Sequence, residues 1–377
     1  MSVLLTSPSV VAPSGTVIDP VAKALEALAA DGVTVGMVSN HAEPAWFLAA
    51  FPGGEVEFVE RRGRQDGNII AEVSAKHAIP PHDFVVLGAT DDDVQMAKNG
   101  GGVLLPAGWA AEPKVASWGI AVANPTELTD AMALIGAWPG SWYFEGTGAR
   151  YAVRSLSDVS GKGVDATQEA FAKKVVNTIK GGGPRLQALL VVAARSLLMS
   201  GTAGQDNLMW GVYPSSSSAN ADAETLSDFG HRLRTVASKV QLAKRGEPLF
   251  IRHSPSAKRS SGGGGDRTDP AGQVETIHLN PAYRGKVKGR NVVVLDDCTT
   301  YGVSFGVAAG FLRAAGAKSI SCVALGKFGG QLRYYEIDIK GDPFAAVARG
   351  NFGVASTRAF AGTHNAGAQA ALRGLIK

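Results

Sequence analysis

Short apolar runs alternate with amphipathic stretches through the first 110 residues, and this alternation predicts strands and helices in turn. SVVAPSGTVI (Ser9–Ile18) reads as a strand and turn, and PVAKALEALAADG as an amphipathic helix stopped by Gly32. VTVGMVSN is a short buried strand. FVVLGAT is a later one, followed by DDDVQMAKNG, a helix start with acids in its first turn. Short apolar strands that alternate with helices imply a parallel sheet covered on both faces.

The pattern breaks at AWPGSWYFE, rich in Gly, Pro and aromatic residues, which places a domain boundary near Trp138–Glu145. The expected domains are residues 1–140 and 141–377, the second with a helical lead-in: DATQEAFAKKVVNTI, then PRLQALLVVAARSLLM, separated by Gly181, Gly182 and Gly183. From residue 207 a second strand–helix series begins. NLMWGVYP is a strand ending in the run Ser215–Ser218, LSDFGHRLRTVASKV is a helix, and PLFIRH is a strand opening into SPSAKRSSGGGGDRTDPAGQ. After a link comes NVVVLDDCTTYGVS, then the helix FGVAAGFLRAAG and the strand SISCVALG. Both halves therefore read as doubly wound α/β domains built on parallel sheets.

Composition narrows the class. A chain of 377 residues with 45% hydrophobic and 19% charged residues is globular rather than disordered. Two cysteines, Cys298 and Cys322, exclude a disulfide framework. The start MSVLLTSPSVVAPSG has no basic leader, and the greasiest stretch, LQALLVVAARSLLM, is interrupted by Arg195 and too short for a bilayer, so a soluble cytoplasmic protein is expected. The net charge of +4 conceals an asymmetry. Residues 1–150 carry 17 acidic and 8 basic side chains, a net of −9, which leaves +13 for the rest. A basic half suits a polyanionic small molecule or a nucleic acid, and charge alone does not choose.

The densest chemistry lies in NVVVLDDCTTYGVS. Four apolar residues, Val292–Leu295, form a strand that delivers Asp296 and Asp297 to its carboxyl end, where open α/β sheets bind ligands. Cys298, Thr299, Thr300, Tyr301, Gly302, Val303 and Ser304 make a hydroxyl-rich turn that runs into a helix. N–H groups at a helix start, with Thr and Ser hydroxyls and a glycine that lets backbone approach, form an anion cradle. A phosphate in the turn with two carboxylates upstream matches a phosphorylated sugar.

These residues resemble the type I phosphoribosyltransferase family, whose signature is an apolar strand, two acids and a Thr/Gly loop. The resemblance covers roughly residues 205–330 and implies transfer of the phosphoribosyl group of 5-phosphoribosyl-1-diphosphate (PRPP) to a nitrogenous acceptor, with magnesium bound mostly through substrate. It implies that Asp296 and Asp297 contact the ribose and act in catalysis, with an indirect relation to the metal, while Thr299, Thr300, Gly302 and Ser304 hold the 5-phosphate. Tyr301 and Ser304 each stand where the family has Thr; the tyrosine either crowds the phosphate or turns outward. The resemblance also makes Ser215, Ser216, Ser217 and Ser218 a pyrophosphate loop, the alternative being a plain linker. SPSAKRSSGGGGDR is similar to the family's flexible catalytic loop, with Lys258 and Arg259 as catalytic cations beside Arg252 and Arg267; a basic surface loop is the other reading. His253 reads as a loop or surface histidine. A homodimer is expected.

The first half resembles the haloacid dehalogenase (HAD) superfamily with its chemistry missing. Ser39 and Asn40 fit the second motif, Lys76 the family lysine, and VLGATDDDVQMAKNGGGVLL the final acidic motif. Ala12 and Ser14 fall at the positions of the two aspartates, and Ala89 follows Gly88 where an acid is usual, although Asp93 remains. Without the nucleophile no aspartyl-phosphate forms, so a pseudoenzyme is expected, with Asp91, Asp92 and Asp93 as a helix N-terminal acid cluster. Two rivals to the enzyme reading stay open: a regulatory sensor of PRPP or nucleotide, and a nucleic-acid binder using the basic half, for which no motif is present.

Overall fold

A computed structural model describes residues 2–218, 220, 224–237, 246–256 and 266–376, with the backbone alone at Pro184. The chain divides into two compact units. The first comprises Met1–Gly140, joined by Gln187–Gly204 and by the end of the helix Thr225–Ala237 from His231 onward. The helical lead-in is thus divided between the units, Ala166–Gly181 counting with the second.

In the first unit β1 (Val3–Thr6), β2 (Thr34–Ser39), β3 (Val56–Glu60), β4 (Phe84–Gly88) and β5 (Val103–Pro106) form a wholly parallel sheet in the order β3-β2-β1-β4-β5. β1, β4 and β5 are buried along their whole length, as strands covered on both faces must be. The strand expected at Ser9–Ile18 is not there. Pro8 has no N–H for a ladder and takes the first turn of a short helix, Pro8–Val11, so strand formation falls to the preceding VLLT. The arginine inside the greasy helix Pro184–Met199 is buried, and donates to the Asp83 carboxylate at 2.8 Å and the His82 carbonyl at 2.8 Å. Among the described residues no helix is long and apolar enough to cross a membrane.

The second unit is built on a mixed sheet. It contains β6 (Phe144–Thr147), β7 (Ala152–Asp158), β8 (Leu208–Val212), β11 (Asn291–Thr299), β12 (Ser319–Lys327) and β15 (Thr363–His364) in the order β15-β6-β7-β12-β11-β8. β7, β12, β11 and β8 run parallel, but β6 pairs antiparallel with both β7 and β15, which corrects the expectation of a purely parallel sheet. The reason is local. A tight turn closed by Gly148 N–H on the Tyr151 carbonyl joins β6 to β7, and so short a link permits only antiparallel pairing.

Two small antiparallel pairs complete the unit: β9 (Phe250–Arg252) with β10 (Ile277–Leu279), and β13 (Arg333–Ile339) with β14 (Phe352–Ala359). β13 lies against the helix Val303–Ala314 along a stripe of glycines. A Cβ on Gly302 would meet the Arg333 carbonyl oxygen at 2.6 Å, one on Gly306 the Tyr335 Cβ at 2.5 Å, and one on Gly310 the Ile337 Cβ at 3.1 Å. Four helical residues rise about 6 Å and two strand residues about 6.6 Å, so helix and strand stay in step along the contact.

Candidate functional site

β11 is the central element of the site, and its two neighbours end at different heights. The ladder with β8 stops at Leu295↔Val212, closed by Tyr213 N–H on the Leu295 carbonyl at 2.7 Å. The ladder with β12 continues to Thr299↔Lys327. Asp296 to Thr299 are therefore held as strand on one side and left without a β8 partner on the other. Parallel pairing puts the carboxyl ends of β7, β8, β11 and β12 on one rim, and the loops after them meet there.

Asp296 is buried, its carboxylate accepting from the Asp297 N–H at 2.9 Å, and Asp297 accepts from the Cys298 N–H. Burial pushes the Asp296 carboxyl well above the usual carboxylate range, and the neighbouring Asp297 charge adds to the shift. Burial likewise raises the Cys298 thiol, with both aspartates contributing.

After Thr299 the chain bends through Thr300 and Tyr301 to Gly302, which caps the helix Val303–Ala314 at φ 79°. A left-handed residue pressed against the Arg333 carbonyl admits only glycine. The bend is pinned by Phe328 N–H on the Thr299 carbonyl at 2.8 Å and by Arg333 N–H on the Tyr301 carbonyl at 3.1 Å. The Tyr301 ring packs on the apolar core of this unit, with the Arg267 guanidinium 5.3 Å from its centroid. Thr300 and Ser304 are half-buried, and Ser304 acts to lower the Asp296 pKa against the larger effect of burial.

The serine run follows β8. Ser215 and Ser218 close a turn, Ser218 N–H on the Ser215 carbonyl at 3.2 Å, and the Ser215 hydroxyl reaches Glu224 at 3.4 Å. Arg252 corrects its assignment as a loop cation. It is buried at the end of β9, its guanidinium spent on the carbonyls of Pro214 and Ser215, on Thr276 Oγ1 at 2.8 Å and on Gln273 Oε1 at 2.9 Å. Lys258 and Arg259 lie outside the described residues. His253 stacks on His278, with ring centroids 5.5 Å apart.

Sequence reasoning missed one side of the rim. Thr299, Lys327 and Asp158 are register partners, a transverse row across β11, β12 and β7. Lys327 is 1% exposed; its ammonium donates to the Gly329 carbonyl and lies 5.2 Å from the Phe144 ring centroid. Burial lowers its pKa while Asp158 raises it. Asp158 accepts from Ser160 Oγ at 2.5 Å and from Tyr143 Oη at 3.2 Å, and burial, then Asp158, push the Tyr143 phenol up to about 12. The signal was YAVRSLSD, a short run with apolar residues on either side of Arg154 that ends in an acid.

No three His, Cys, Asp or Glu side chains come together as metal ligands among the described residues. The Asp296–Asp297 pair still suits a cation bound chiefly through a substrate, since two adjacent carboxylates, one buried, are eased by positive charge.

In the first unit the residue leaving β1 is Ser7, which corrects the assignment of Ala12 and Ser14 to that rim; both follow the helix Pro8–Val11. Ser7 Oγ donates to Asp93 at 3.1 Å. Asp93 is fully buried, accepts from the N–H groups of Ala89 and Thr90, and is ion-paired with buried Arg64. Asp93 is therefore no solvated cap acid, whereas Asp91 is, exposed and paired with Lys114 at 3.0 Å. Ser39 ends β2, and Asn40 Oδ1 accepts from the N–H groups of Gly63 and Arg64 while its amide donates to Asp92 at 3.0 Å. Lys76 is exposed in the last turn of Asn68–His77, so the cation of this rim is Arg64 instead. A guanidinium already paired with Asp93 does not fit a divalent cation there. Comparison with known proteins adds no relative: no family model, no curated protein and no solved structure matches this chain.

Proposed function

We propose that the chain is a PRPP-dependent phosphoribosyltransferase whose reaction is carried by the second unit. The observation that bears the proposal is the rim of β11: two carboxylates ending a buried strand, followed by a hydroxyl-rich bend that Gly302 turns into a helix start. On this reading the bend takes the 5-phosphate with Thr299, Thr300, Ser304 and the first N–H groups of the helix. Asp296 and Asp297 accept from the ribose hydroxyls and stabilise the positive charge that develops at C1. The C1–O bond to pyrophosphate breaks, a C1–N bond to the acceptor forms, and the acceptor's proton leaves to solvent or to the departing pyrophosphate. Asp296 and Asp297 are the residues that would face a magnesium ion, whose chemistry is to neutralise the leaving group. The row Thr299, Lys327, Asp158 supplies the polar groups that an acceptor on the β12 side would meet.

For the first unit we propose a HAD-like frame without phosphatase chemistry. Support comes from Ser7 after β1 and from Arg64 paired with Asp93, where a metal-dependent hydrolase needs acids and a cation site.

Calorimetry with PRPP and magnesium tests the first proposal, followed by pyrophosphate release across a panel of nucleobases. Binding with turnover supports the enzyme. Binding without turnover on any acceptor moves the reading to a sensor, and no binding ends it.

A further inference from the structure

Three successive peptide carbonyls in the loop after β8 are turned the same way. The Pro214 carbonyl accepts from Arg252 Nη2 at 3.2 Å, the Ser215 carbonyl from Arg252 Nε, and the Ser216 carbonyl from the Ser256 N–H at 2.9 Å. In a trans peptide the N–H of the next residue points opposite to the carbonyl, and no peptide here is cis. The N–H groups of Ser215 and Ser216 therefore face away from Arg252, and that of Ser217 faces away from the Ser256 N–H. Among the described residues none of the three has an acceptor. Successive N–H groups pointing one way form a concavity for an anion.

Arg252 is held in this posture from all sides. Its backbone exchanges two hydrogen bonds with the Asn220 side chain, at 2.7 and 2.9 Å. Gln273, which receives Nη2, also accepts from Tyr213 Oη at 2.8 Å and donates to Ser256 Oγ at 3.0 Å. Among the described residues every acceptor of the guanidinium is a neutral oxygen, and Asp296 and Glu224 act on it only as charges beyond ion-pair distance. A buried cation with only neutral partners is costly, and an anion arriving on the far side of the loop would offset that cost.

We infer that Arg252 is a positioning residue for pyrophosphate: it does not touch the anion, but fixes the carbonyls of Pro214 and Ser215 so that the N–H groups of Ser215–Ser217 form its cradle, and it supplies the positive field behind them. This rests on the phosphoribosyltransferase reading and assigns to Arg252 a role different from that of a loop cation closing on the leaving group.

The test is titration of the full chain with magnesium pyrophosphate and, separately, with ribose 5-phosphate, which needs the Gly302 bend and not the serine loop. Arg252→Met is expected to weaken pyrophosphate binding about a hundredfold and Arg252→Lys about tenfold, since lysine keeps the charge but cannot bridge two carbonyls. Ribose 5-phosphate affinity should stay within about twofold, which a merely structural defect would not allow. Should Arg252→Met not fold, Ser216→Pro takes its place. Ser216 is the second residue of its turn, where proline is tolerated, and the change removes one cradle N–H without touching Arg252. Its loss and that of Arg252→Lys should be non-additive. Unchanged pyrophosphate affinity in a folded Arg252→Met chain, or additive losses in the pair, overturns the proposal. Wild-type binding of ribose 5-phosphate without pyrophosphate also overturns it but leaves the sugar-phosphate site standing. Binding of neither ligand, nor of PRPP, removes both.

Discussion

Arg64 and Asp93 form a buried ion pair at the carboxyl rim of the first sheet, where Ser7 and the N–H groups of Ala89 and Thr90 complete the carboxylate's shell. Removing one partner of such a pair strands a charge in the interior, which costs more than the pair itself contributes. Arg64→Met is expected to destabilise the chain by about 3 kcal/mol. Asp93→Asn added to it should recover part of the loss. Urea denaturation followed by tryptophan fluorescence reads both. Aryl phosphate hydrolysis should be undetectable before and after, and robust magnesium-dependent turnover would contradict the proposed lack of phosphatase chemistry.

Asp296→Asn should uncouple stability from activity. The Asp296 carboxyl titrates above its unfolded value because it is buried beside Asp297. Between the unfolded and folded pKa the folded chain keeps a proton that the unfolded chain has lost, so stability falls as pH rises through that interval. The asparagine removes this slope and can still accept from the Asp297 N–H. A gain of at least about 1 kcal/mol at pH 7 is expected, at about 1.4 kcal/mol per pKa unit, together with loss of pyrophosphate release. Denaturation curves at several pH values are the check: the fall of stability with rising pH seen in the parent between the unfolded and folded Asp296 pKa should be absent from the variant.

Gly302→Ala is expected to cost about 2 kcal/mol or more from its left-handed backbone and the contact with the Arg333 carbonyl. Because the same residue sets the bend, ribose 5-phosphate binding should weaken in parallel. Retention of both stability and binding would remove the bend from the site.

Lys327→Met separates a functional lysine from a packing one. The wild-type ammonium is costly to bury, and its lowered pKa means that stability rises with pH between the folded and unfolded values. Replacement by methionine should leave stability unchanged or improved at pH 7 while turnover drops about tenfold or more. Equal turnover would remove Lys327 from the acceptor side.

Much of the second unit's site was legible because its residues are contiguous. Val292–Ser304 encodes strand, acids, bend and helix in one run, and local pattern suffices to read it. What could not be read depends on pairing across the chain. Arg252 looks like any loop-edge cation until the carbonyls of Pro214 and Ser215 are found around it. Asp158 and Lys327 are far apart in sequence and meet only through strand register. In the first unit the error was one of placement: two apolar runs compete at the chain start, VLLT and SVV, and Pro8 decides between them. Moving that strand replaced Ala12 by Ser7 at the rim.

The glycine stripe that Gly302, Gly306 and Gly310 lay against β13 means that the bend from Thr299 to Gly302 does not own its shape. Its geometry is borrowed from a strand that comes later in the chain, so a transplant of Asp296–Ser304 into another scaffold would arrive limp unless Arg333–Ile339 travelled with it. By the same linkage, amide protons of β13 should exchange more slowly when the bend is occupied, making the hairpin a remote gauge of ligand.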